Sequence, residues 1–386
     1  MKTTPSNGLR PSLRAFAAAV LCMAASLGHA DGTNDDYLHA NGGRLYDAAG
    51  QEVRLTGISW FGFETDLQVF HGLWSVNMQG VLNTMANRGF NVVRIPLSVQ
   101  LVNQWRNGNG GTAGSINYNA NPGLQGMSSL QVFDAAIAAA KQSGLKVMLD
   151  MHRVVNTQQS NGWAAQGYTT ADFEASWQWL ATRYKNDDTV IAVDLFNEPH
   201  GMPGDPTMSK WDDSTDANNW PYEAARVANQ ILSINPNLLI VVEGVAATPK
   251  TGFTYADPNG GNYDYNWWGG NLRRAASHPV NLGSAQKQLA YSAHDYGTSV
   301  ANQPWFYNGF TEATLTADCW QPNWLYLVTQ NLAPVIIGEW GGKLDGGSNQ
   351  AWMTALANTI KTHRLNHFFW AVNPNSGDTG GILLDD

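Results

Sequence analysis

Two glutamates stand in settings suited to proton transfer or nucleophilic attack. They are Glu198 in Val193-Asp194-Leu195-Phe196-Asn197-Glu198-Pro199 and Glu339 in Val335-Ile336-Ile337-Gly338-Glu339-Trp340. Each closes a short apolar, β-branched run, so each carboxyl group is expected at the end of a strand. Paired carboxyls can cleave a glycosidic bond, one protonating the leaving oxygen while the other attacks the sugar or activates water. A lone glutamate at a strand end is more often a structural or metal-binding acid, so the pair has to be weighed with its surroundings. Comparable runs carry Trp60, Arg94, His152, Asn197, Glu243, His294, Tyr296 and Trp370 at their ends. Ordinary strand ends carry Gly, Asp, Asn or Pro to make a turn. A ring of indole, imidazole, guanidinium and amide groups around two acids favours chemistry.

Eight such runs occur in series, over residues 53–62, 91–98, 145–152, 190–199, 238–245, 289–297, 334–341 and 367–373, with starts 33 to 54 residues apart. Helix-period segments lie between most of them, at residues 130–144, 172–184, 222–232, 320–332 and 350–360. Repeated strand–helix alternation implies parallel strands with right-handed crossovers, and eight repeats imply a closed (β/α)8 TIM barrel; a doubly wound open sheet is the runner-up. In such barrels chemistry gathers at the C-terminal ends of the strands, where both glutamates fall. Runs four and seven face each other across the barrel mouth, so both acids can reach one cleft. Ahead of the first run, residues 43–46 and 52–55 read as a β-hairpin about Asp47-Ala48-Ala49-Gly50, placed to plug the barrel's bottom.

The 386 residues include 43% hydrophobic and 14% charged side chains, enough to bury a core and incompatible with a disordered polymer. A formal charge of -9 repels a phosphate backbone, so nucleic acid is not an expected partner. Lys2, Arg10 and Arg14 precede an apolar run over residues 15–27 that ends at Gly28-His29-Ala30, the pattern of a secretory signal cut after Ala30. That run is too short to span a bilayer. The expected product, residues 31–386, is one exported domain with no membrane anchor. Cys22 leaves with the signal and Cys319 is then alone, which excludes intramolecular disulfides and cysteine metal clusters. Sixteen tryptophans are many for such a chain, and they point to an aromatic core or to flat faces offered to a ligand.

Asn197-Glu198-Pro199, Ile337-Gly338-Glu339, Val93-Arg94-Ile95-Pro96, His294-Asp295-Tyr296 and the tail Phe369-Trp370 with Asn373-Pro374-Asn375-Ser376-Gly377-Asp378-Thr379-Gly380-Gly381 resemble glycoside hydrolase family 5. The loops Trp60-Phe61-Gly62-Phe63-Glu64-Thr65-Asp66, His71-Gly72-Leu73-Trp74 and Trp267-Trp268-Gly269-Gly270-Asn271-Leu272 sharpen the resemblance toward bacterial secreted endo-β-1,4-glucanases. It runs in order from about Leu45 to the end of the chain.

The resemblance implies a retaining double displacement with Glu198 as general acid/base and Glu339 as nucleophile, acting on a β-glucan. Two carboxyls about 5 to 5.5 Å apart repel, so one keeps its proton while Arg94 and the Tyr296 hydroxyl hold Glu339 ionised. Asn197 is expected at the sugar 2-hydroxyl, and His152 and His294 shape the site. Glucose has apolar C–H faces, which indoles can cover while polar groups read the rim. Trp60, Trp268 and Trp370 are therefore expected along the cleft, with Trp267 able to replace Trp268, and Gln303 at the rim. Trp177, Trp179, Trp320, Trp324 and Trp352 lie in helical stretches and are expected to pack. No metal or cofactor is expected: the glycines at 108–113 open no helix, the Asp-rich residues 211–216 lack calcium-loop spacing, and no paired histidines suggest zinc. A monomer is expected. Relatives continue into an eighth outer helix, so that final helix is expected to be missing here, and loops 101–128 and 153–170 look individual. A mannan or xylan hydrolase of the same fold, or a non-catalytic glucan-binding barrel, are the alternatives.

Overall fold

The computed structural model describes residues 36–383; the expected export signal lies outside them. A small antiparallel sheet comes first, with β1 (His39–Asn41), β2 (Arg44–Tyr46) and β3 (Glu52–Val53) adjacent in that order. It contains the expected hairpin and adds a strand before it. The barrel begins with β4 (Thr56–Ser59), β5 (Val92–Ser98), β6 (Lys146–Arg153), β7 (Val190–Asp194) and β8 (Leu239–Glu243). A short antiparallel pair, β9 (Ala247–Pro249) and β10 (Tyr263–Tyr265), is inserted next. Strands β11 (Leu289–His294), β12 (Val335–Trp340) and β13 (Asn366–Phe369) complete the barrel, and β13 pairs with β4 to close it. All eight barrel strands pair in parallel, as the strand–helix alternation predicts. Their Val, Ile and Leu runs are buried on both faces, inside the barrel and beneath the helices.

The outer layer comprises α1 (Met78–Asn87), α2 (Val99–Arg106), α3 (Ser129–Gln142), α4 (Thr170–Tyr184), α5 (Trp220–Ile234), α6 (Glu312–Leu315), α7 (Tyr326–Thr329) and α8 (Ser348–Thr362). Reciprocal capping boxes start α3 at Ser128 with Gln131, and α4 at Thr169 with Asp172. Helix α2 overrides the expected loop from 101: the Ser98 hydroxyl accepts from Leu101 N–H, and residues 101–106 are helical. The helix expected at 320–332 is a wider π-helical stretch, Thr316–Leu325, between α6 and α7. Pro322 lies inside it and can donate no backbone hydrogen bond, which an ordinary α-helix would have to absorb as a kink. After β13 the described chain runs to Leu383 without another helix.

At the bottom of the barrel residues 36–38 join the hairpin, whose Arg44 donates to the His363 carbonyl at 2.6 Å and whose Leu45 and Val53 are buried in the core. Lys146, buried at the start of β6, pairs with Asp36 and donates to the Asp188 carbonyl at 3.2 Å. Gln288 Nε2 donates to the carbonyls of Leu38 at 3.1 Å and Asn237 at 2.9 Å, and Asn235 Nδ2 donates to the Tyr37 hydroxyl at 3.3 Å. At the opposite rim, helical indoles reach the strand ends. Trp177 of α4 donates to the Leu195 carbonyl at 3.0 Å, and Trp220 of α5 donates to the Glu243 carbonyl at 2.9 Å. Trp320 and Trp352 both donate to the Asp295 carboxylate, at 3.0 and 2.7 Å. Three of the expected packing tryptophans, Trp177, Trp320 and Trp352, thus also tie the outer layer to the rim that carries the glutamates.

Candidate active site

Glu198 owes its position to how β7 ends. The ladder stops at Asp194, but Leu195 N–H still donates to Val241 and Asn197 N–H to Met151, so this segment stays tethered between β6 and β8. Glu198 then takes φ +53°, a left-handed conformation unusual for a residue with a side chain. Its N–H points at Glu243 Oε2, 2.7 Å away, which fixes the turn. Its Oε1 lies 3.0 Å from His294 Nδ1.

Glu339 lies at an irregular end of β12, where the register shifts after Ile337 against both neighbouring strands, and it is held from three sides. Arg94 Nη1 donates to its Oε1 at 2.5 Å, the Tyr296 hydroxyl donates to Oε2 at 2.7 Å, and His294 Nδ1 stands 3.6 Å from Oε2. Arg94 is fully buried and serves as a hub. It meets Asp150 at 3.0 Å, Asp194 at 3.1 Å and Glu243 at 3.3 Å, and donates to Asn197 Oδ1 at 2.9 Å. That contact orients the Asn197 amide and leaves its buried Nδ2 with no partner among the described residues, a donor available to a ligand hydroxyl. His152 Nδ1 lies 2.7 Å from Asp150 Oδ2, two residues earlier on the same inward face of β6.

One guanidinium cannot neutralise four buried carboxylates, and the pKa values show how protons are shared. Burial lifts Asp194 to about 6 and Glu243 to about 7. Glu198 is lifted too, first by burial and further by repulsion from Glu339 and Glu243, against the pull of His294. Burial acts on Glu339 in the same sense, yet the charges of His294 and Arg94 and the Tyr296 hydroxyl outweigh it and hold Glu339 below the ordinary range. Burial disfavours a charged His294, but Glu243, Glu339 and the Glu198 contact overcome this, and its pKa lies well above normal. His294 Nε2 is 3.1 Å from Glu243 Oε1; the approach suits an ion pair and is too bent for a good hydrogen bond. His152 goes the other way, lowered by burial, and is a neutral ring. The two glutamates are thus pushed in opposite directions, Glu198 up and Glu339 down.

Above these groups lies a cavity of about 530 Å³ whose wall includes Glu198, Glu339, Trp267, Trp268, Gln303 and Trp370. Trp268 is 45% exposed and stacks flat on His200, with 3.8 Å between ring centroids and 4° between planes. His200 in turn contacts the Glu198 carbonyl at 2.7 Å, so this indole face stands on the side of Glu198. Trp370 stacks on His152 at 5.2 Å, on the side of Glu339.

The family description Cellulase (glycosyl hydrolase family 5) matches residues 46–376, a span that includes Arg94, His152, Asn197, Glu198, His294, Tyr296 and Glu339. The chain belongs to glycosyl hydrolase family 5. Among its relatives, Endoglucanase G of Acetivibrio thermocellus is 41% identical, covering 95% of this chain and 73% of the relative. An endoglucanase of Paenibacillus polymyxa is 39% identical over 91% of this chain and 83% of its own. An endocellulase from Pyrococcus horikoshii, solved as a complex with cellotetraose, superposes with a TM-score of 0.79 at 33% identity, covering 90% of this chain and 93% of that one. The catalytic domain of the major endoglucanase from Xanthomonas campestris pv. campestris gives 0.79 at 32% identity over 90% and 94%.

Within this family-5 barrel, Arg94, His152, Asn197, Glu198, His294, Tyr296 and Glu339 come together at one centre, and Trp268, Gln303 and Trp370 line its cavity. Trp60 does not. Its ring is 1% exposed, stacks on Phe70 at 4.1 Å, and donates through Nε1 to the His71 carbonyl at 2.9 Å. It holds the loop after β4 from beneath, while Phe61 stacks on Trp370 at 5.5 Å. Trp267 is 7% exposed and meets Tyr296 edge-on, so it braces the tyrosine and leaves the open platform to Trp268.

Sequence reasoning passed over Asp150, Asp194 and Arg153, and gave Glu243 no role beyond its strand end. The Asp150-x-His152 spacing was the available signal, since alternate residues of a strand share a face. Glu198, His294 and Glu339 offer metal-ligand atoms all within 4.8 Å of one another. The cluster already carries its own cations in Arg94 and His294, so a divalent ion there would have to displace existing ion pairs.

Proposed function

We propose that this family-5 chain is a retaining endo-β-1,4-glucanase that cuts internal bonds of cellulose or related β-glucans by double displacement. The observation that carries the reading is the close pairing of unlike carboxyls: Glu198 pushed toward its acid form, with an oxygen within 4.8 Å of Glu339, pulled toward its anion. Oxygens this close favour the short spacing of a retaining pair over the wider one that holds a water between the acids. In the first step Glu339 attacks the anomeric carbon, the glycosidic C–O bond breaks, and the Glu198 proton goes to the leaving oxygen. In the second, Glu198 takes a proton from water, whose oxygen displaces Glu339 from the sugar. The unpartnered Asn197 Nδ2 is offered to the sugar 2-hydroxyl, where a hydrogen bond strengthens as positive charge builds on the ring.

The relatives' names and the neighbour solved with cellotetraose support a β-glucan substrate. Export is supported by the signal pattern of residues 1–30, and by the name of a 34% identical relative, the major extracellular endoglucanase of Xanthomonas campestris pv. campestris. No described helix is long and apolar enough to cross a membrane. The deciding experiment measures reducing-sugar release by the purified protein from carboxymethyl cellulose, mixed-linkage β-glucan, mannan and xylan, beside Glu339→Ala. Cleavage of the glucans, with a folded but inactive variant by circular dichroism, is the expected result. An active Glu339→Ala variant would overturn the mechanism, and cleavage of mannan or xylan alone would overturn the substrate.

A further inference from the structure

We propose that Arg153 binds a pair of neighbouring hydroxyls on the glycone side of the cleft, and so selects and positions the part of the glucan that stays attached to Glu339. The proposal rests on the glucanase reading above. Arg153 ends β6 directly after His152, and its side chain forms part of the cavity wall with Gln159 and Trp370. It makes no hydrogen bond and no ion pair with any described residue, and its Nε is buried without a partner. An arginine carries five N–H donors and retains its charge at any pH where proteins fold. Such a group in the wall of a binding cavity is incomplete until something accepts from it.

The acid whose charge it feels is Glu64, which does not complete it. Glu64 lies beyond ion-pairing reach, is 2% exposed, and gives Oε2 to the Gly62 N–H at 2.8 Å. Burial raises its pKa to about 7, so on the acid side of neutrality it offers Arg153 no counter-charge. Asp378, also in the cavity wall, already accepts from Thr379 N–H at 2.9 Å and the Ser376 hydroxyl at 3.3 Å. A guanidinium is a planar fork, and two parallel N–H groups can span adjacent ring hydroxyls in a way an ammonium cannot.

The side follows from the two carboxylates. Trp268 and His200 flank Glu198, where the leaving group departs. His152 and Trp370 flank Glu339, where the glycone becomes covalently held; His152 Nδ1 is 4.0 Å from Glu339 Oε1. Arg153 follows His152 in the chain, and its charge reaches Glu64 in the loop after β4, whose Phe61 stacks on Trp370; this neighbourhood is the basis for assigning it to the glycone side.

The test compares p-nitrophenyl β-cellobioside with cellopentaose, using wild type, Arg153→Met and Arg153→Lys. In the first substrate both glucosyl units are glycone and the leaving group is not a sugar. Arg153→Met is expected to lower kcat/KM on it by about ten- to hundredfold, chiefly through KM, as loss of a charged hydrogen bond would. Arg153→Lys, which keeps the charge and loses the fork, is expected to recover only part of this. The melting temperature and circular dichroism should hold. If Arg153→Met fails to fold, Arg153→Lys decides, and wild-type KM in that variant refutes the fork. Arg153→Met within twofold of wild type on the aryl cellobioside refutes the proposal. A loss on cellopentaose without one on the aryl substrate puts Arg153 on the leaving-group side and refutes it equally. A wild type that cleaves neither substrate overturns the glucanase reading, and Arg153's role with it.

Discussion

Glu198 holds a backbone conformation that costs about 1–3 kcal/mol for a residue with a side chain, and it persists because its surroundings over-determine it. Glu243 accepts its N–H, His294 contacts its carboxyl, and the chain on both sides is tethered to neighbouring strands. The proposed mechanism requires Glu198 protonated and Glu339 ionised. Because Glu339 is lowered, activity fades as pH falls only once its depressed pKa is reached; because Glu198 is raised, activity persists above the ordinary carboxylate range and is lost as pH rises through it. Glu198→Ala is expected to slow cellopentaose by about 10²–10⁴-fold, while an aryl cellobioside with a good leaving group is far less affected and loses the alkaline limb of its pH–rate profile. Equal slowing of both substrates would remove Glu198 from the acid role. Both glutamates were legible because each sits in a distinctive strand-end motif. Arg153 and Glu243 were harder to read, since their importance lies in which donors and acceptors remain unpaired, and that depends on side chains brought together from distant positions. Trp60 misled because its neighbours in sequence are shared with the cleft, whereas its ring turns into the loop's own core.

At the scale of elements, the eight strands could be read from their apolar runs, and their order in the barrel followed from right-handed parallel connection. Their ends could not be read so well: the runs continue past the last ladder bond because the residues that leave the sheet are themselves buried at the site. The run over 190–199 shows this, with β7 stopping at Asp194 and the next five residues forming the turn that presents Glu198. Helix α2 escaped notice because its amides and glutamines look like loop, and its cap is the last residue of β5. Asp295 joins strand and helix layers. It lies between His294 and Tyr296, faces away from the cavity, and accepts indole N–H groups from Trp320 and Trp352. Asp295→Asn leaves one carbonyl oxygen for two indoles and turns a donor toward the other. A loss of about 1–3 kcal/mol is expected in urea unfolding, and an unchanged midpoint would show that the clamp carries no stability.

Across the whole molecule, the two rims of the barrel do different work. The lower one is closed in part by a segment whose only motif is an acid, and sequence pattern could not match Asp36 with a lysine 110 positions away. Asp36→Ala leaves Lys146 buried with one carbonyl and no counter-charge. A loss of about 3–5 kcal/mol is expected from thermal or denaturant melting, with kcat at low temperature unchanged because the site lies at the other rim. A variant that melts like wild type would show that solvent reaches Lys146. The upper rim supplies an optical handle. Of the sixteen tryptophans, all of them in the described region, Trp268 alone is exposed, and it lies flat on an imidazole in the wall of the cleft. Excited at the red edge of indole absorption, the protein should report chiefly this one ring, whose emission moves to shorter wavelength and becomes shielded from acrylamide when a sugar covers it. Oligosaccharide affinity could then be titrated on unlabelled, catalytically silent Glu339→Ala protein, and the response should vanish with Trp268→Phe.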